Sequence, residues 1–167
     1  VRPGRDGATV DRRALAHAHQ ATAAAGGRHG GDRGDALGVG PGNVPCYIEK
    51  SAKLKRACTD LMLSKTFDNG MICASEQAVI VDVGIAEAFE KFMTENACYF
   101  LNDEEIKKVS DYVIHPEKKK LNPDVVGKTA AWIAEQAGIS VPEHTKILIA
   151  RLEDVGADYP LSREKLS

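Results

Sequence analysis

Four thiols are the groups in this 167-residue sequence best equipped for covalent chemistry: Cys46, Cys58, Cys73 and Cys98. A thiolate attacks a carbonyl carbon and can carry an acyl group, whereas zinc and redox sites begin from a C-x-x-C pair. The cysteines stand 12, 15 and 25 positions apart, so no such pair exists and no metal site is expected. Free thiols in this arrangement fit a reducing, cytoplasmic location. Three of the four have a packing assignment: Cys46 in a short run after Pro45, Cys58 on an apolar helical stripe, and Cys98 in the run Cys98-Tyr99-Phe100-Leu101. Cys73 has none. It lies in Lys65-Thr66-Phe67-Asp68-Asn69-Gly70-Met71-Ile72-Cys73-Ala74-Ser75-Glu76-Gln77, where Asp68-Asn69-Gly70 is turn chemistry and the cysteine falls in a connection beside a strand end. A lone cysteine is ordinarily inert unless it is exposed and its thiolate stabilised. Pairing it with His115 or His144 would make a cysteine hydrolase. However, His115 precedes Pro116 at a helix end and His144 lies in a polar loop, where surface histidine is the better reading.

A second unusual segment is Gly38-Val39-Gly40-Pro41-Gly42-Asn43-Val44-Pro45, with three glycines and two prolines in eight residues. Glycine lets backbone approach a ligand closely, so such a loop can pass beside a planar cofactor ring. It is not the G-x-G-x-x-G fingerprint and lacks the strand-to-helix context of a dinucleotide phosphate site. Taken alone, it reads as an irregular strand connection.

The elements that must hold these segments follow from periodicity. Cys46-Tyr47-Ile48 is a brief strand, and Ser51 is the expected N-cap of a helix from Ala52 to about Thr66 with Leu54, Ala57, Cys58, Leu61 and Met62 on one face. Ala78-Val79-Ile80-Val81 reads as a central strand covered on both sides. Ile85, Ala88, Phe89, Phe92 and Met93 write a second helix. After the Cys98 strand, Asn102 and Glu105 predict a capping box opening a helix with inner residues Ile106, Val109 and Val113, which Pro116 helps to close. Lys118 to Lys120 is a solvated charge run without an assigned role. A last helix from Lys128 to about Ala137 stops at Gly138, and Lys146 to Ala150 is another buried strand. The expected order is β-α-β-α-β-α-α-β, an α/β layer structure with an open, mostly parallel sheet and flanking helices.

Charge and composition exclude several classes. With 22 Lys+Arg against 24 Asp+Glu, the formal charge of -2 points to no nucleic acid and no anionic surface. No apolar run approaches the ~20 residues that cross a bilayer, so no membrane is expected. Composition also breaks near residue 37: residues 1 to 37 hold six Arg and no Lys, the remainder three Arg and thirteen Lys. The first segment carries seven Gly and nine Ala and, before Leu37, only Val1, Val10 and Leu15 as large apolar residues. It is expected to be disordered, or weakly helical around Arg12 to Ala25. Four Asp and no Ser or apolar h-region argue against a targeting peptide, and Arg33-Gly34-Asp35 is chance in so biased a stretch.

Gly38-Val39-Gly40-Pro41-Gly42-Asn43 followed by Ser64 to Gln77 resembles the CoA-acylating aldehyde dehydrogenases, most closely the aldehyde dehydrogenase half of bifunctional aldehyde-alcohol dehydrogenases. The likeness continues through Ser140 to Ile149 and Glu164-Lys165-Leu166-Ser167, so it covers residues 38 to 167, a partial catalytic domain, and leaves 1 to 37 unrelated. The resemblance implies that Cys73 is the nucleophile and that Glu164 holds the nicotinamide ribose of NAD. Gly38 and Gly40 belong to the same cofactor site. A thiohemiacetal on Cys73 would lose hydride to NAD, and coenzyme A would take the resulting acyl group, reversibly, from a small aldehyde such as acetaldehyde. The glycine loop has no carboxylate where hydrolytic relatives place a water-activating glutamate, which favours a thiol acceptor over water.

The family's NAD-binding domain, with an asparagine that stabilises the oxyanion, normally precedes the Gly38 loop, and residues 1 to 37 resemble none of it. Further catalytic domain normally follows, and bifunctional members add an iron-dependent alcohol dehydrogenase. The expectation is a fragment or faulty gene model, inactive alone, since loss of the oxyanion donor by itself costs about a hundredfold or more. The alternative is a non-catalytic assembly piece, because the family forms homo-oligomers and filaments.

Overall fold

In the computed structural model, which describes residues 14–17, 43–115, 121–154 and 159–162, alternation of short apolar runs with amphipathic stretches resolves into one five-stranded sheet with helices on both faces. The strands are β1 (Ala14–His17), β2 (Pro45–Ile48), β3 (Ala78–Val81), β4 (Cys98–Phe100) and β5 (Ile147–Leu152), in the order β2-β3-β1-β5-β4. The helices are α1 (Leu54–Thr66), α2 (Ala86–Glu95), α3 (Asp103–Val113) and α4 (Ala130–Gln136). β2 pairs with β3 and β4 with β5 in parallel, as the apolar runs predict.

The unexpected element is β1. It lies inside the segment expected to be disordered or weakly helical, yet it runs antiparallel to both β3 and β5, with Leu15 opposite Val79 on one side and Arg151 on the other. Ala-Leu-Ala-His carries none of the β-branched or aromatic bias that marks strands, so only the two backbone ladders identify it. The rest of residues 1 to 37 lies outside the described residues.

Strand alternation divides the core in two. Ile147 and Ile149 of β5 join Ile48, Val79, Val81, Cys58, Leu61, Phe89 and Met93 under α1 and α2. Leu148, Ala150 and Leu152 face the other way, joining Val109, Val113, Ile133 and Ala134 under α3 and α4. β3 buries Val79 and Val81 while Ala78 and Ile80 are only partly covered, so this strand is interior but not sealed on both faces.

Local chemistry sets the start of α3 and both ends of α4. The Asn102 side chain accepts from Glu105 N at 3.0 Å and Glu105 Oε2 accepts from Asn102 N at 2.9 Å, completing the predicted capping box. The Thr129 hydroxyl accepts from Trp132 N at α4, which starts two residues after the predicted Lys128, and Gly138 at φ +72 ends it. The expected Ser51 cap is not formed: α1 begins at Leu54 with Lys53 before it, and Ser51 bonds the Glu49 carboxylate instead. An Asp or Glu two residues back competes for the same hydroxyl and amide. Pro116 and Lys118 to Lys120 lie outside the described residues.

Candidate active site

The connection from α1 to β3 carries Cys73. After Thr66 the chain turns through a 3-10 segment, Phe67–Gly70, in which Asp68, Asn69 and Gly70 have φ of 48°, 51° and 76°. Three successive left-handed residues are tolerable because Asp, Asn and Gly are the types that accept that region. The Asn69 side-chain amide donates to Gly127 O at 3.0 Å, tying the turn to the loop before α4. Two short hydrogen-bonded turns follow, Met71 N to Asp68 O at 3.1 Å and Ser75 N to Ile72 O at 3.0 Å, before β3 begins.

Cys73 is exposed, whereas Cys58 is fully buried and Cys98 is 4% exposed. Burial pushes the Cys58 thiol up to about 11 and the Cys98 thiol up to about 12, which keeps both protonated and inert near neutrality. Cys46 is partly covered. Burial raises its pKa, and the nearby Glu76 charge raises it further. The packing assignments made for Cys46, Cys58 and Cys98 therefore match their burial, and all four cysteines are free thiols.

Cys73 stands at the amino end of β3, not at the carboxyl-end crevice where open α/β sheets usually hold ligands. At that same edge, Val44 O accepts from Gln77 N at 2.9 Å, joining the Cys73 connection to the end of the glycine-rich loop. The Asn43 amide in turn donates to Ser162 O at 3.2 Å. The described flanks of the three segments singled out in the sequence thus meet. Gly38, Gly40 and Glu164 themselves lie outside the described residues. His115, at the end of α3, and His144, in the loop before β5, are both exposed. Among the described residues no group of His, Cys, Asp or Glu could hold a metal ion, and no helix is long and apolar enough to cross a membrane.

Sequence reasoning missed the polar interior of this connection. Lys65 and Gln77 are both 0% exposed, and the lysine Nζ donates to Gln77 Oε1 at 3.0 Å. The signal was present: Lys65 falls seven residues after Cys58 and four after Leu61, on the buried stripe of α1. Ser75 is 1% exposed, and both its hydroxyl oxygen and Glu76 Oε2 are buried without a hydrogen-bond partner.

No protein-family model matches the chain. An aldehyde-alcohol dehydrogenase of Streptococcus pneumoniae serotype 4 is 50% identical over 139 residues, covering 79% of this chain and 16% of that protein. An acetylating aldehyde dehydrogenase from Geobacillus thermoglucosidasius superposes with a TM-score of 0.73 at 48% identity, over 78% of this chain and 28% of its own. Rhodopseudomonas palustris propionaldehyde dehydrogenase, solved with bound CoA and an acylated cysteine, superposes with a TM-score of 0.62 at 27% identity, over 73% of this chain and 27% of its own. The chain spans about a sixth of the length of the curated relative. Over the matched segment, an α/β unit with its sheet flanked by helices, this chain is a homologue of the aldehyde-alcohol dehydrogenases and acetylating aldehyde dehydrogenases and corresponds to part of their catalytic domain.

Proposed function

We propose that this chain is the thiol-bearing section of an NAD-dependent, CoA-acylating aldehyde dehydrogenase, with Cys73 as the acyl carrier. One observation carries the reading: within the matched segment, Cys73 is the exposed thiol while burial holds Cys58 and Cys98 protonated. The Cys73 thiolate attacks the aldehyde carbon, and the thiohemiacetal loses hydride to become a thioester. NAD, when bound, supplies the hydride acceptor, and Gly38, Gly40 and Glu164 are the residues proposed to lie against it. A CoA thiol then attacks the thioester carbonyl. A new carbon–sulfur bond to CoA forms, the bond to Cys73 breaks, and the thiol proton passes to the departing Cys73 sulfur or to solvent.

The half-reaction with CoA tests the role of the thiol. Incubation with propionyl-CoA followed by peptide mass spectrometry is expected to place the acyl group on Cys73 ahead of Cys46, and Cys73→Ala is expected to abolish it. Equal acylation of Cys46, or an adduct that survives Cys73→Ala, overturns the assignment.

A second reading, a homo-oligomeric assembly piece of the same fold, is favoured by the surface around the thiol. Leu63 near the end of α1, and Phe67 and Ile72 in the connection that follows it, are 66%, 62% and 42% exposed. Sedimentation velocity separates it: a monomer at every concentration, alone or mixed with an intact relative, removes an assembly role.

A further inference from the structure

We propose that Lys65 is a positioning residue for Cys73, its buried ammonium bracing the two ends of the connection that presents the thiol. This rests on the reading of Cys73 as acyl carrier.

The bond from Lys65 Nζ to Gln77 Oε1 spans twelve positions and closes the base of the loop in which Cys73 sits. The same residue lies under the turn: a Cβ added at Gly70 would lie 3.3 Å from the Lys65 backbone O and 3.5 Å from both side-chain Cε and Nζ. Gly70, at φ +76, is three residues before Cys73, so the lysine supports the turn and the base together. The tip is held separately by Asn69 on Gly127 O. A methionine at position 65 would complete the apolar stripe of α1 without the cost of taking an ammonium out of water. A buried cation at that position is explained by what it holds rather than by helix packing.

The test uses the whole chain with Lys65→Met and Gln77→Glu, reading amide exchange over 67–77 and the iodoacetamide rates of Cys73 and Cys46. Losing a buried bond to a charged group is expected to raise exchange across 67–77 by about tenfold or more. It should also change the Cys73 rate by about threefold or more at a constant Cys46 rate. Gln77→Glu keeps an acceptor opposite the ammonium and should change both readouts less than Lys65→Met does, and a change as large overturns the proposal. Exchange and labelling unchanged in Lys65→Met overturn the proposal, as does a rise spread uniformly over every strand, which a purely structural role would give. If Lys65→Met does not fold, Gln77→Met removes the acceptor alone and is read against the same limits. A failure of the acyl-carrier reading appears elsewhere, as propionyl transfer without preference for Cys73, and leaves the exchange result standing.

Discussion

Alkylation of the native chain at pH 8 should sort the four cysteines by their surroundings, and the size of the separation follows from the structure. An ordinary thiol near 8.5 is roughly one-quarter ionised at that pH. Cys58, pushed up to about 11, is ionised to about one part in a thousand, a deficit of roughly two-hundredfold. Cys98, at about 12, has a deficit of roughly two-thousandfold. A thiolate of higher pKa is intrinsically more nucleophilic, and a Brønsted slope of about 0.45 restores roughly tenfold for the first and about fortyfold for the second. The chemistry alone therefore slows Cys58 about twentyfold and Cys98 about fiftyfold against the same residues in the urea-unfolded chain. Their burial slows them further, because α1 and β4 must open first. The assay is a time course with iodoacetamide in native and unfolded conditions, read peptide by peptide. Cys73 should label first, with Cys46 behind it. Labelling of Cys58 or Cys98 within about tenfold of its unfolded rate, at unchanged circular dichroism, would refute the packing of α1 and β4 into one core and the argument that isolates Cys73.

The same burial makes the fold sensitive to alkali. In the unfolded chain these thiols ionise near their ordinary value of about 8.5 but in the folded chain only near 11 and 12, so the stability they contribute is complete below that ordinary value and is lost as pH rises toward 11 and 12. Urea midpoints measured at pH 7.5 and pH 10.5 should fall accordingly, and Cys58→Val should flatten the fall. Asn69→Ala loses both the bond to Gly127 and a side chain that accepts the left-handed region, a cost of about 2 kcal/mol. Asn69→Gly loses only the bond, so its urea midpoint should lie between those of Asn69→Ala and the parent, and equal losses would contradict the conformational part. Asn102→Ala removes the α3 cap and should cost about 1 kcal/mol by thermal or urea unfolding.

Much of the fold is legible in the sequence because each signal has a local cause. Asn102 and Glu105 cap each other within one turn, and the apolar run Ala78–Val81 marks a strand, so both features follow from neighbours in sequence, whereas the burial of Val79 and Val81 alone, rather than of both faces, is set by what packs on the sheet. β1 fails that test: what makes Ala14–His17 a strand is a pair of ladders to residues more than sixty positions away. The site divides along the same line. Cys73 stood out in the sequence because no apolar stripe claims it, and the structure leaves it exposed. Lys65 did not, because a lysine is read as a surface residue unless its stripe position is weighed more heavily than its charge. Ser51 shows the converse error, a local rule outcompeted by the still more local Glu49 carboxylate.

The edge on which Cys73 stands says how such a thiol is presented. In a parallel sheet the carboxyl ends gain a crevice from diverging crossovers, and reacting groups there inherit their placement from the strands. Cys73 is on the amino side of β3, five residues before the strand begins, and inherits nothing of the kind. Its placement is made within the connection itself, by left-handed Asp68, Asn69 and Gly70, by Asn69 on Gly127, and by Lys65 across to Gln77. Each of these fixes the chain on the amino side of the cysteine or spans it, while Gln77 N on Val44 O joins its carboxyl side to the glycine-rich segment. A thiol held this way can face solvent and still keep a fixed position relative to the sheet, which attack on a carbonyl carbon requires. Loosening the connection should therefore alter the reactivity of Cys73 long before it unfolds the strands behind it.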